Sequence, residues 1–539
     1  MNFKKYFLIG AVAAAALTAC DTDKLEIDQP GVLILDDTYA NATDSDVYGF
    51  LAAIYAEIFG DAYESVIVGG ASCWNYMMYD LNIMGGECAE GFQYDEGAES
   101  TTYSRTWSYL YQTIAWCNNI IEYLPANETA TASLVTQAIA EARAIRAIFM
   151  GYLVQLYGTP PLADHIMDGT EVNTPAEESW AWIEEELEAA ADDLPTKSGL
   201  GGQSSIGGRI TKEACYAYEG RFQLWQGNYS EAASTLYNKV ISTGKYALYD
   251  DYADYNSSTS DFSDENIWEF DFNEGSDVAT GQAGCFDLTC FSPDCVLMWW
   301  STYASLYLVW GMGSYPSIEY VNFLTEHDGA SSSRYNAQIL DMCTASMMGY
   351  MSNPVSNCQG YMKVKDMCLE EDLVGTLPYT YSIRNKAYMR YSEVLLNYAE
   401  AVAMGGSAGS GLSGLEALNL VRNRAGLEDA PSLSMDDETY GIKAERRAEL
   451  YCEGFRFIDL IRWGDAATEL ADCGKYTYLW TFNSDYVYEI SDGVYMYFFG
   501  SYSETSTGGS GFKSGKNELF PIPATEINQN PSLTQNTGW

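Results

Sequence analysis

Apolar residues recur every three or four positions along most of the chain, which is the spacing of an amphipathic α-helix. The first such segment, residues 44–59, begins with acidic residues and places four apolar side chains on one face: Phe50, Leu51, Ile54 and Ile58. Further helices are predicted at residues 102–124, 137–157, 175–194, 214–226, 230–242, 386–403 and 413–424. Proline or glycine follows several of them, at Pro125, Gly158 and Pro195. The pattern predicts a mostly α-helical protein.

Two of these regions are pairs of helices joined by short turns. Residues 214–226 and 230–242 form one pair, and residues 386–403 and 413–424 form the other. Small residues inside the helices allow close packing, and both pairs resemble tetratricopeptide units. Such units bury little surface alone and are stabilised by stacking on their neighbours. We therefore expect a tetratricopeptide-like helical-repeat scaffold.

Three long stretches lack the helical period: residues 60–101, about 256–377, and 477–516. They are rich in glycine and aromatic residues and are predicted to be loops with short elements. Long irregular segments are more often functional than idle, and recognition is usually placed on loops carried by a rigid scaffold. We expect residues 20–539 to form a single domain in which the loop-rich region at about 256–377 carries a ligand site.

The aromatic residues of these loops are the strongest indication of binding. A pyranose ring presents an apolar face of C–H groups, on which an indole or phenol ring can stack, while nearby Asn, Asp or Arg side chains pair with the hydroxyl groups. The alternative is that the rings are simply part of the core. The candidate ligand-binding residues are Trp74, Tyr76, Trp299, Trp300, Tyr303, Trp310 and Tyr315.

The first 19 residues have the pattern of a signal peptide. Lys4 and Lys5 precede an apolar run at residues 7–16, which is too short to span a bilayer. The following sequence, LTAC, resembles a bacterial lipobox, in which Cys20 would be the lipidated residue. Acyl chains on Cys20 would tether the mature protein to a membrane without embedding it.

The composition limits the classes of ligand. With 28 basic and 75 acidic residues the formal charge is −47, which repels nucleic acid and strongly anionic polysaccharides. A hydrophobic content of 47% with 19% charged residues is typical of a globular protein. The electrostatic field of this charge does not affect neutral ligands. We expect no nucleic-acid partner.

Catalytic and metal-binding patterns are weak. Only His165 and His327 are available for a triad or a histidine-built metal centre. The sequence GGSAG at residues 405–409 matches G-x-S-x-G but lies in a linker between helices, so we interpret it as a loop. Paired carboxylates for glycoside hydrolysis can always be found among 75 acidic residues, so they indicate nothing. We expect no catalytic residues and no metal site.

Two further patterns leave alternatives open. The acid-rich stretches at residues 250–254 and 261–265 could hold calcium but lack the order of EF-hand ligands, so solvated loops and no cofactor are favoured. Twelve cysteines remain after Cys20, and their spacing does not give a pairing. The cluster at Cys285, Cys290 and Cys295 is interpreted as a stapled or thiol-bearing loop, with a metal as the minor option.

Residues 445–464, ERRAELYCEGFRFIDLIRWG, concentrate four arginines in one predicted helix. Three pairs of opposite charge are spaced three apart and are predicted to pair: Arg446 with Glu449, Glu453 with Arg456, and Asp459 with Arg462. Gly454 would allow a close backbone approach, and Gly464 suits a left-handed helix cap. We interpret the segment as a buried structural helix whose charges are satisfied.

This segment resembles the signature helix of the SusD/RagB-like family, which comprises surface lipoproteins of Bacteroidetes. Four other motifs occur in the family's order. They are EARAIRAIFMGYLVQLYGTPPLAD at residues 141–164, the helical pair of residues 210–255, the NYAEA and ALNLVRNRAG segments of residues 397–426, and the closing NELFPIPATEINQNPSLTQNTGW. Trp539 stands where the family usually has Tyr.

The resemblance implies a SusD-like fold and a non-catalytic function. Members of the family bind nutrient glycans at the cell surface and deliver them to a SusC-like TonB-dependent transporter of the outer membrane. The implied localisation is the outer membrane, through a lipid anchor at Cys20. A peptide-binding protein of the RagB type is the nearest alternative, and a surface glycosidase is the alternative from another class.

Overall fold

The computed structural model describes residues 35–60, 81–83, 97–197, 208–270, 314–347, 355–356, 358–363, 365, 373–376, 379–382, 385–482, 487–491, 494–497 and 500–539. The predicted signal peptide, Cys20, and the cysteine cluster of residues 285–295 lie outside the described residues.

Helices make up most of the described chain, as the apolar spacing predicts. In chain order they are α1 Leu35–Ala40, α2 Asp44–Gly60, α3 Thr101–Tyr123, α4 Ala132–Tyr157, α5 Ala176–Asp193, α6 Lys212–Trp225, α7 Tyr229–Thr235, α8 Ile318–His327, α9 Ser333–Asn336, α10 Met342–Met347, α11 Tyr391–Ala403, α12 Gly414–Arg424, α13 Ile442–Glu449, α14 Arg456–Trp463, α15 Ala466–Glu469 and α16 Ala524–Gln529.

The strands are short and form small antiparallel sheets. They are β1 Leu81–Ile83, β2 Asn266–Phe270, β3 Ser314–Pro316, β4 Ile339–Asp341, β5 Val355–Ser356, β6 Tyr361–Lys363, β7 Leu373–Thr376, β8 Tyr379–Ser382, β9 Lys386–Arg390, β10 Tyr476–Phe482, β11 Val487–Ser491, β12 Val494–Tyr497 and β13 Gly500–Ser506. The pairs are β1–β3, β2–β9, β4–β6, β7–β8 and β11–β12, and the order β13–β10–β5 forms a three-stranded sheet.

Successive helices pack against each other from α3 to α7, and α7 then packs on α11, which packs on α12. The core lies between these layers and contains Phe149 of α4 and Phe222 of α6, both fully buried. At the crossing of these two helices, a β-carbon on Gly151 would lie 2.4 Å from the ring of Phe222. Glycine therefore sets the close approach of α4 and α6. The stack is the predicted mostly helical scaffold, and the likeness of its pairs to tetratricopeptide units stays a prediction.

The C-terminal residues of the chain pack against the C-terminal end of α4. Gly158, with a φ of 75°, ends that helix, and its amide donates to the carbonyl of Val154. The amide of Phe520 donates to the carbonyl of Leu156 at 2.7 Å. The Asn536 side chain donates to the carbonyl of Tyr157 at 2.9 Å. The motifs that end α4 and close the chain therefore hold the scaffold together.

The GGSAG linker is a loop between α11 and α12, as predicted. A β-carbon on Gly406 would lie 2.5 Å from the carbonyl oxygen of Tyr229, and one on Gly409 would lie 2.2 Å from the ring of Tyr237. The Gly409 amide donates to the hydroxyl of Tyr398 at 2.7 Å. The glycines are accounted for by packing against the neighbouring helix pair.

Part of the predicted helix at residues 386–403 is wrong, because its first five residues form strand β9. This strand pairs with β2, with Asn266 opposite Arg390 and Phe270 opposite Lys386. The helix α11 begins only at Tyr391, whose amide donates to the carbonyl of Glu265 at 2.8 Å. A distant strand supplies the backbone partners, and so it overrides the local period.

The signature segment is also not one helix. Helix α13 ends at Glu449 and α14 begins at Arg456, and between them Cys452 and Gly454 have φ values of 62° and 83°. Left-handed backbone at two positions turns the chain and separates the helices. Gly464 caps α14 in the left-handed conformation, as predicted.

Two of the three predicted ion pairs in this segment are wrong. Asp459 does pair with Arg462, at 2.8 Å. Arg446 instead pairs with Asp459 at 2.9 Å. Glu453 pairs with Lys365 at 2.5 Å and with Arg390 at 2.6 Å, whereas Arg456 pairs with Glu469 at 3.0 Å. The prediction of a buried segment with satisfied charges is confirmed, but most of the partners come from other elements.

Residues 477–516 were predicted to be irregular, and this is wrong for much of the stretch. Strands β10 and β13 pair over their whole lengths, from Tyr476 opposite Ser506 to Phe482 opposite Gly500. The alternation of aromatic and other residues in YTYLWTF is a strand pattern with a period of two. The Tyr- and Gly-rich composition obscured that period.

Candidate ligand-binding site

Of the predicted ligand-binding residues, Tyr315 is the one that lies in the described part of the chain. It is the middle residue of β3, and its side chain is 5% exposed. Burial raises the pKa of the Tyr315 hydroxyl above its ordinary value. The other six lie outside the described residues: Trp74, Tyr76, Trp299, Trp300, Tyr303 and Trp310. The binding role of all seven stays a prediction.

The structure nevertheless connects the two stretches that carry these residues. Strand β1 follows the first aromatic stretch, and strand β3 follows the second. The two strands pair in antiparallel register, with Leu81 opposite Pro316, Asn82 opposite Tyr315 and Ile83 opposite Ser314. Segments separated by most of the first half of the chain are therefore joined at one small sheet.

This sheet is fixed to the scaffold through α8, which follows β3 directly. The Ser317 side chain caps α8 by accepting from the amide of Tyr320 at 3.2 Å. The ring of Tyr320 stacks on that of Tyr451 with a centroid distance of 3.9 Å and an interplanar angle of 6°. Tyr320 and Tyr451 are both buried. The connection from β3 to the signature segment is therefore rigid.

Beneath α8 lies a buried ionic cluster that joins six separate parts of the chain. Arg334 donates to both carboxylate oxygens of Asp328, at 2.7 and 2.8 Å, and to Glu445 at 2.6 Å. Glu449 accepts from Arg334 and Arg390 and pairs with Arg424. The members of the buried ionic cluster are Glu265, Asp328, Arg334, Lys365, Arg390, Arg422, Arg424, Glu445, Glu449 and Glu453.

The charges of this cluster hold one another in the ionised state. Burial by itself would raise the pKa of Glu449, but the guanidinium groups of Arg424, Arg390 and Arg334 outweigh it and lower the pKa to about 2. Burial likewise opposes the ionisation of Asp328, and Arg334 lowers its pKa well below the ordinary value. The cluster supports structure, since its charged atoms are engaged with each other and hidden from solvent.

Both histidines pair with carboxylates. His327 is buried beside the cluster, with Nδ1 2.6 Å from Asp328 and Nε2 3.7 Å from Glu445. His165 lies in an exposed loop with Nδ1 2.5 Å from Asp164. Within the described residues, neither imidazole has a serine or cysteine side chain as a hydrogen-bond partner. The described geometry gives no nucleophile and base pair built on histidine.

The acid-rich stretches are engaged in loop structure. An Asp251 oxygen accepts from the amide of Ala253 at 2.7 Å, and an Asp261 oxygen accepts from the amide of Asn385 at 3.0 Å. Glu265 pairs with Arg390 at 2.6 Å and with Arg424 at 2.8 Å. Among the residues that the structure describes, no group of three or more His, Cys, Asp or Glu side chains is arranged to hold a metal ion.

The described cysteines are Cys117, Cys215, Cys343, Cys358, Cys452 and Cys473, of which Cys117, Cys215 and Cys358 are buried free thiols. Burial raises the pKa of Cys117 and Cys358 to about 12, so these thiols stay protonated and unreactive at neutral pH.

Across the described ranges, no helix combines the length and the apolar character that crossing a membrane requires.

A tyrosine-bearing face on the β10–β13 ribbon was not predicted from the sequence. Tyr476 and Tyr502 are 38% and 40% exposed. The ring of Tyr478 contacts that of Tyr502 with a centroid distance of 5.6 Å. Burial raises the pKa of Tyr478, and the carboxylates of Glu319 and Glu504 raise it further. Glu319 lies in the first turn of α8. The alternation in YTYLWTF is the signal that could have predicted this face.

A cleft of about 630 Å³, also not predicted from the sequence, lies between α3, the loop that follows α4, and α16 with the residues after it. We call it the α3–α16 cleft. Trp107 and Tyr111 line it from α3, Ile166 and Glu171 from the loop, and Glu526 from α16. Residues 107 and 111 lie within the helix predicted at residues 102–124, and nothing in the sequence indicates a binding role for them. No local pattern indicates the cleft, because its walls come from three distant parts of the chain.

Comparison with known proteins gives the fold. Residues 356–539 match the model of the SusD family. A SusD-like protein of Formosa agariphila is 22% identical over 402 residues, which are 69% of this chain and 72% of that protein. A laminarin-binding SusD-like protein has a TM-score of 0.68 at 22% identity, over 93% of this chain and 100% of that one.

Two solved structures of surface glycan-binding protein A are equally similar. That of Bacteroides thetaiotaomicron in complex with laminarihexaose has a TM-score of 0.68 at 21% identity, covering 92% of this chain and 100% of that one. That of Bacteroides fluxus has a TM-score of 0.68 at 23% identity, covering 92% of this chain and 100% of that one. The predicted resemblance is confirmed: residues 356–539 match the SusD family model, and the described chain has the fold of SusD-like proteins.

Proposed function

We propose that the protein is a non-catalytic lipoprotein of the cell surface, which binds a nutrient glycan and delivers it to a SusC-like TonB-dependent transporter. The β1–β3 pairing is the observation that supports glycan binding most directly. It joins the segments that follow Trp74 and Tyr76 on one side and Trp299 to Trp310 on the other. Rings from both stretches can then contribute to one binding surface.

The charge of the chain favours an uncharged ligand. A formal charge of −47 disfavours the approach of uronic or sulfated glycans but leaves neutral sugars unaffected. Proteins of the same fold include a laminarin-binding protein and a protein in complex with laminarihexaose. A neutral oligosaccharide is therefore the first ligand class to test.

The remaining alternatives differ in ligand or in chemistry. A RagB-like protein would bind peptides on the same scaffold. A surface glycosidase would need two carboxylates placed across a glycosidic bond. The buried carboxylates of Glu265, Asp328, Glu445 and Glu449 pair with arginines in the buried ionic cluster. Carboxylates engaged in this way are not available to a sugar, which favours binding without turnover.

The proposal is tested with protein that lacks residues 1–20. The protein is applied to an array of neutral glycans, acidic glycans and peptides, and each ligand that binds is measured by calorimetry, with laminarihexaose included. We expect neutral glycans to bind, and Trp299→Ala, Trp300→Ala or Trp310→Ala to weaken binding about five-fold each, since loss of a stacked ring removes about 1 kcal/mol.

The control variant is Tyr48→Ala, because Tyr48 is an exposed ring on α2 at 52% exposure, and it should bind as the wild type does. Circular dichroism and the melting temperature establish that each variant is folded. Binding of peptides alone would favour the RagB-like alternative. Release of shorter sugars on incubation would favour a glycosidase. Retention of full affinity in all three tryptophan variants would refute the proposed site.

Delivery is tested by expressing the full chain together with the SusC-like transporter encoded in the same cell. We expect the two to copurify from detergent extracts and the glycan to bind the pair more tightly than the lipoprotein alone. A lipoprotein tethered in the same membrane as its transporter acts at a high effective concentration, so weak contacts between the two proteins are enough to hold them together. A transporter that never copurifies would contradict the delivery function.

A further inference from the structure

The α3–α16 cleft is a separate concavity from the region of β1 and β3. Its floor is apolar: Trp107, Ile114 and Leu533 line it and are 5%, 1% and 8% exposed. Ile166 stands at its edge with 39% of its surface exposed. Its volume of about 630 Å³ is within the ordinary range of small-molecule sites.

The walls of the cleft are held by hydrogen bonds between distant elements. The Tyr111 hydroxyl donates to the carbonyl of Pro161 at 2.7 Å, and the Asn118 side chain donates to the carbonyl of His165 at 2.5 Å. On the opposite side, the Asn530 side chain donates to the carbonyl of Glu171 at 2.6 Å. The cavity is therefore formed before any ligand enters, which reduces the entropy lost on binding.

A second set of polar side chains in the lining has no such structural role. These are Gln112 and Asn119 on α3, and Glu526 and Gln529 on α16. None of the four side chains has a hydrogen-bond partner within the ranges that the structure describes. Three amides offer both donors and acceptors, and the carboxylate offers acceptors, so together they match the hydroxyl groups of a sugar.

The charge of the lining excludes anions. Among the described residues that line it, the carboxylic acids are Glu171 and Glu526, and none is Lys or Arg. Burial raises the pKa of Tyr111, and the carboxylates of Glu171 and Glu526 raise it further, which places both charges near the floor of the cleft. An acidic sugar would meet the negative charges of Glu171 and Glu526, and Glu171 already has His165 Nε2 at 3.7 Å.

We infer that the α3–α16 cleft is a second binding site, which takes a short uncharged saccharide with its apolar face on the floor and its hydroxyl groups against Gln112, Asn119, Glu526 and Gln529. The inference shares the ligand class of the proposed function but rests on different residues. A second site on the same scaffold would let one protein hold a glycan at two points, which raises avidity for long chains.

The test uses protein without residues 1–20 and four probes: laminarihexaose, maltohexaose, cellohexaose and a hexamer of galacturonic acid. Saturation-transfer NMR and calorimetry give the affinity and the number of sites for the wild type and for Gln112→Ala/Gln529→Ala. We expect a neutral hexaose to occupy two sites on the wild type, and the double variant to lose one of them, with at least a ten-fold drop in its affinity. Asn528→Ala is the matched control, because Asn528 is an exposed amide of the same helix outside the cleft.

Two further variants keep the result unambiguous. Ser108→Phe places a ring in the cleft from an exposed position of α3 and should abolish the second site without unfolding the protein. Glu526→Lys should allow the acidic hexamer to bind at that site, which the wild type excludes. One site in the wild type, unaltered by any cleft variant, would overturn the inference, and so would binding of no neutral hexaose.

The two proposals fail separately. If only the Trp299, Trp300 and Trp310 variants lose binding, the proposed function stands and the cleft is not a site. If only the cleft variants lose binding, the cleft is a site and the aromatic-loop site is refuted.

Discussion

At the scale of single residues, buried charges account for much of the structural specificity. Arg334 and Glu449 are both inaccessible to solvent and are paired on several sides. A buried ion pair contributes little net free energy when complete, but removal of one partner leaves an uncompensated charge and costs about 3–5 kcal/mol. Such residues determine which elements can meet, because no other arrangement satisfies all of them.

Glu449→Gln should therefore destabilise the protein by about 3 kcal/mol or more, because Arg334, Arg390 and Arg424 lose a shared carboxylate. Chemical denaturation followed by circular dichroism measures the loss. Glu428→Gln, at an exposed position, should stay within about 0.5 kcal/mol of the wild type. Equal stability of the two variants would show that the cluster is not a stabilising network.

The same carboxylate predicts how stability depends on pH. The pKa of Glu449 is about 2 in the folded protein and near 4.5 in the unfolded chain. A depressed pKa stabilises the fold above the unfolded value, and this contribution is lost as the pH falls from about 4.5 towards 2. Unfolding free energies measured across that window should decline in the wild type and decline less steeply in Glu449→Gln. A parallel decline in both proteins would assign the acid sensitivity to other carboxylates.

At the scale of elements, glycines set how closely the helices approach. Gly151 lies where α4 crosses α6, with no room for a β-carbon beside Phe222. Gly49 lies on an exposed face of α2, where a β-carbon would meet nothing within 4 Å. Both glycines lower the intrinsic stability of their helices by a similar amount. They differ in packing, because Gly49 has room for a β-carbon and Gly151 does not.

Gly151→Ala and Gly49→Ala should therefore change stability in opposite directions. We expect Gly151→Ala to lower the unfolding free energy by about 1–3 kcal/mol through overpacking. Gly49→Ala should raise it by up to about 1 kcal/mol through helix propensity alone. Denaturant titrations of the two variants give both values, and a stabilised Gly151→Ala would mean that α4 and α6 can separate at no cost.

At the scale of the whole molecule, the helical stack is a rigid carrier for the aromatic segments and the α3–α16 cleft. The C-terminal residues from Phe520 onwards return to the end of α4 and close the stack. The proposed lipid anchor lies before the first described helix, at Cys20. Lipidation of Cys20, as proposed, would keep the mature protein close to the membrane.

Cys20→Ala should therefore release the protein from the membrane fraction. Mass spectrometry of the wild type should find acyl chains on Cys20, and fractionation should place the variant in the soluble material. Cys343→Ala, which leaves the N-terminal segment intact, is the control and should remain membrane-bound. A wild-type protein without acyl chains would refute the anchor.

Much of the fold could be predicted because its signals are local. The spacing of apolar residues located α2, α3 and α4 to within a few residues, and Gly464 indicated the cap of α14. The family resemblance followed from motifs in order along the chain. For the site, composition and the aromatic loops indicated a ligand class. Of the seven predicted ligand contacts, Tyr315 alone lies in the described chain, and its binding role stays a prediction.

The amino-acid sequence by itself therefore determined the helices, the caps and the kind of scaffold, because these depend on interactions between residues a few positions apart. Only the tertiary structure decided that residues 386–390 are a strand, that Glu453 pairs with Arg390, and that β1 meets β3. It alone formed the α3–α16 cleft. Each of these depends on partners brought from distant parts of the chain, and burial lets those partners outcompete the local ones.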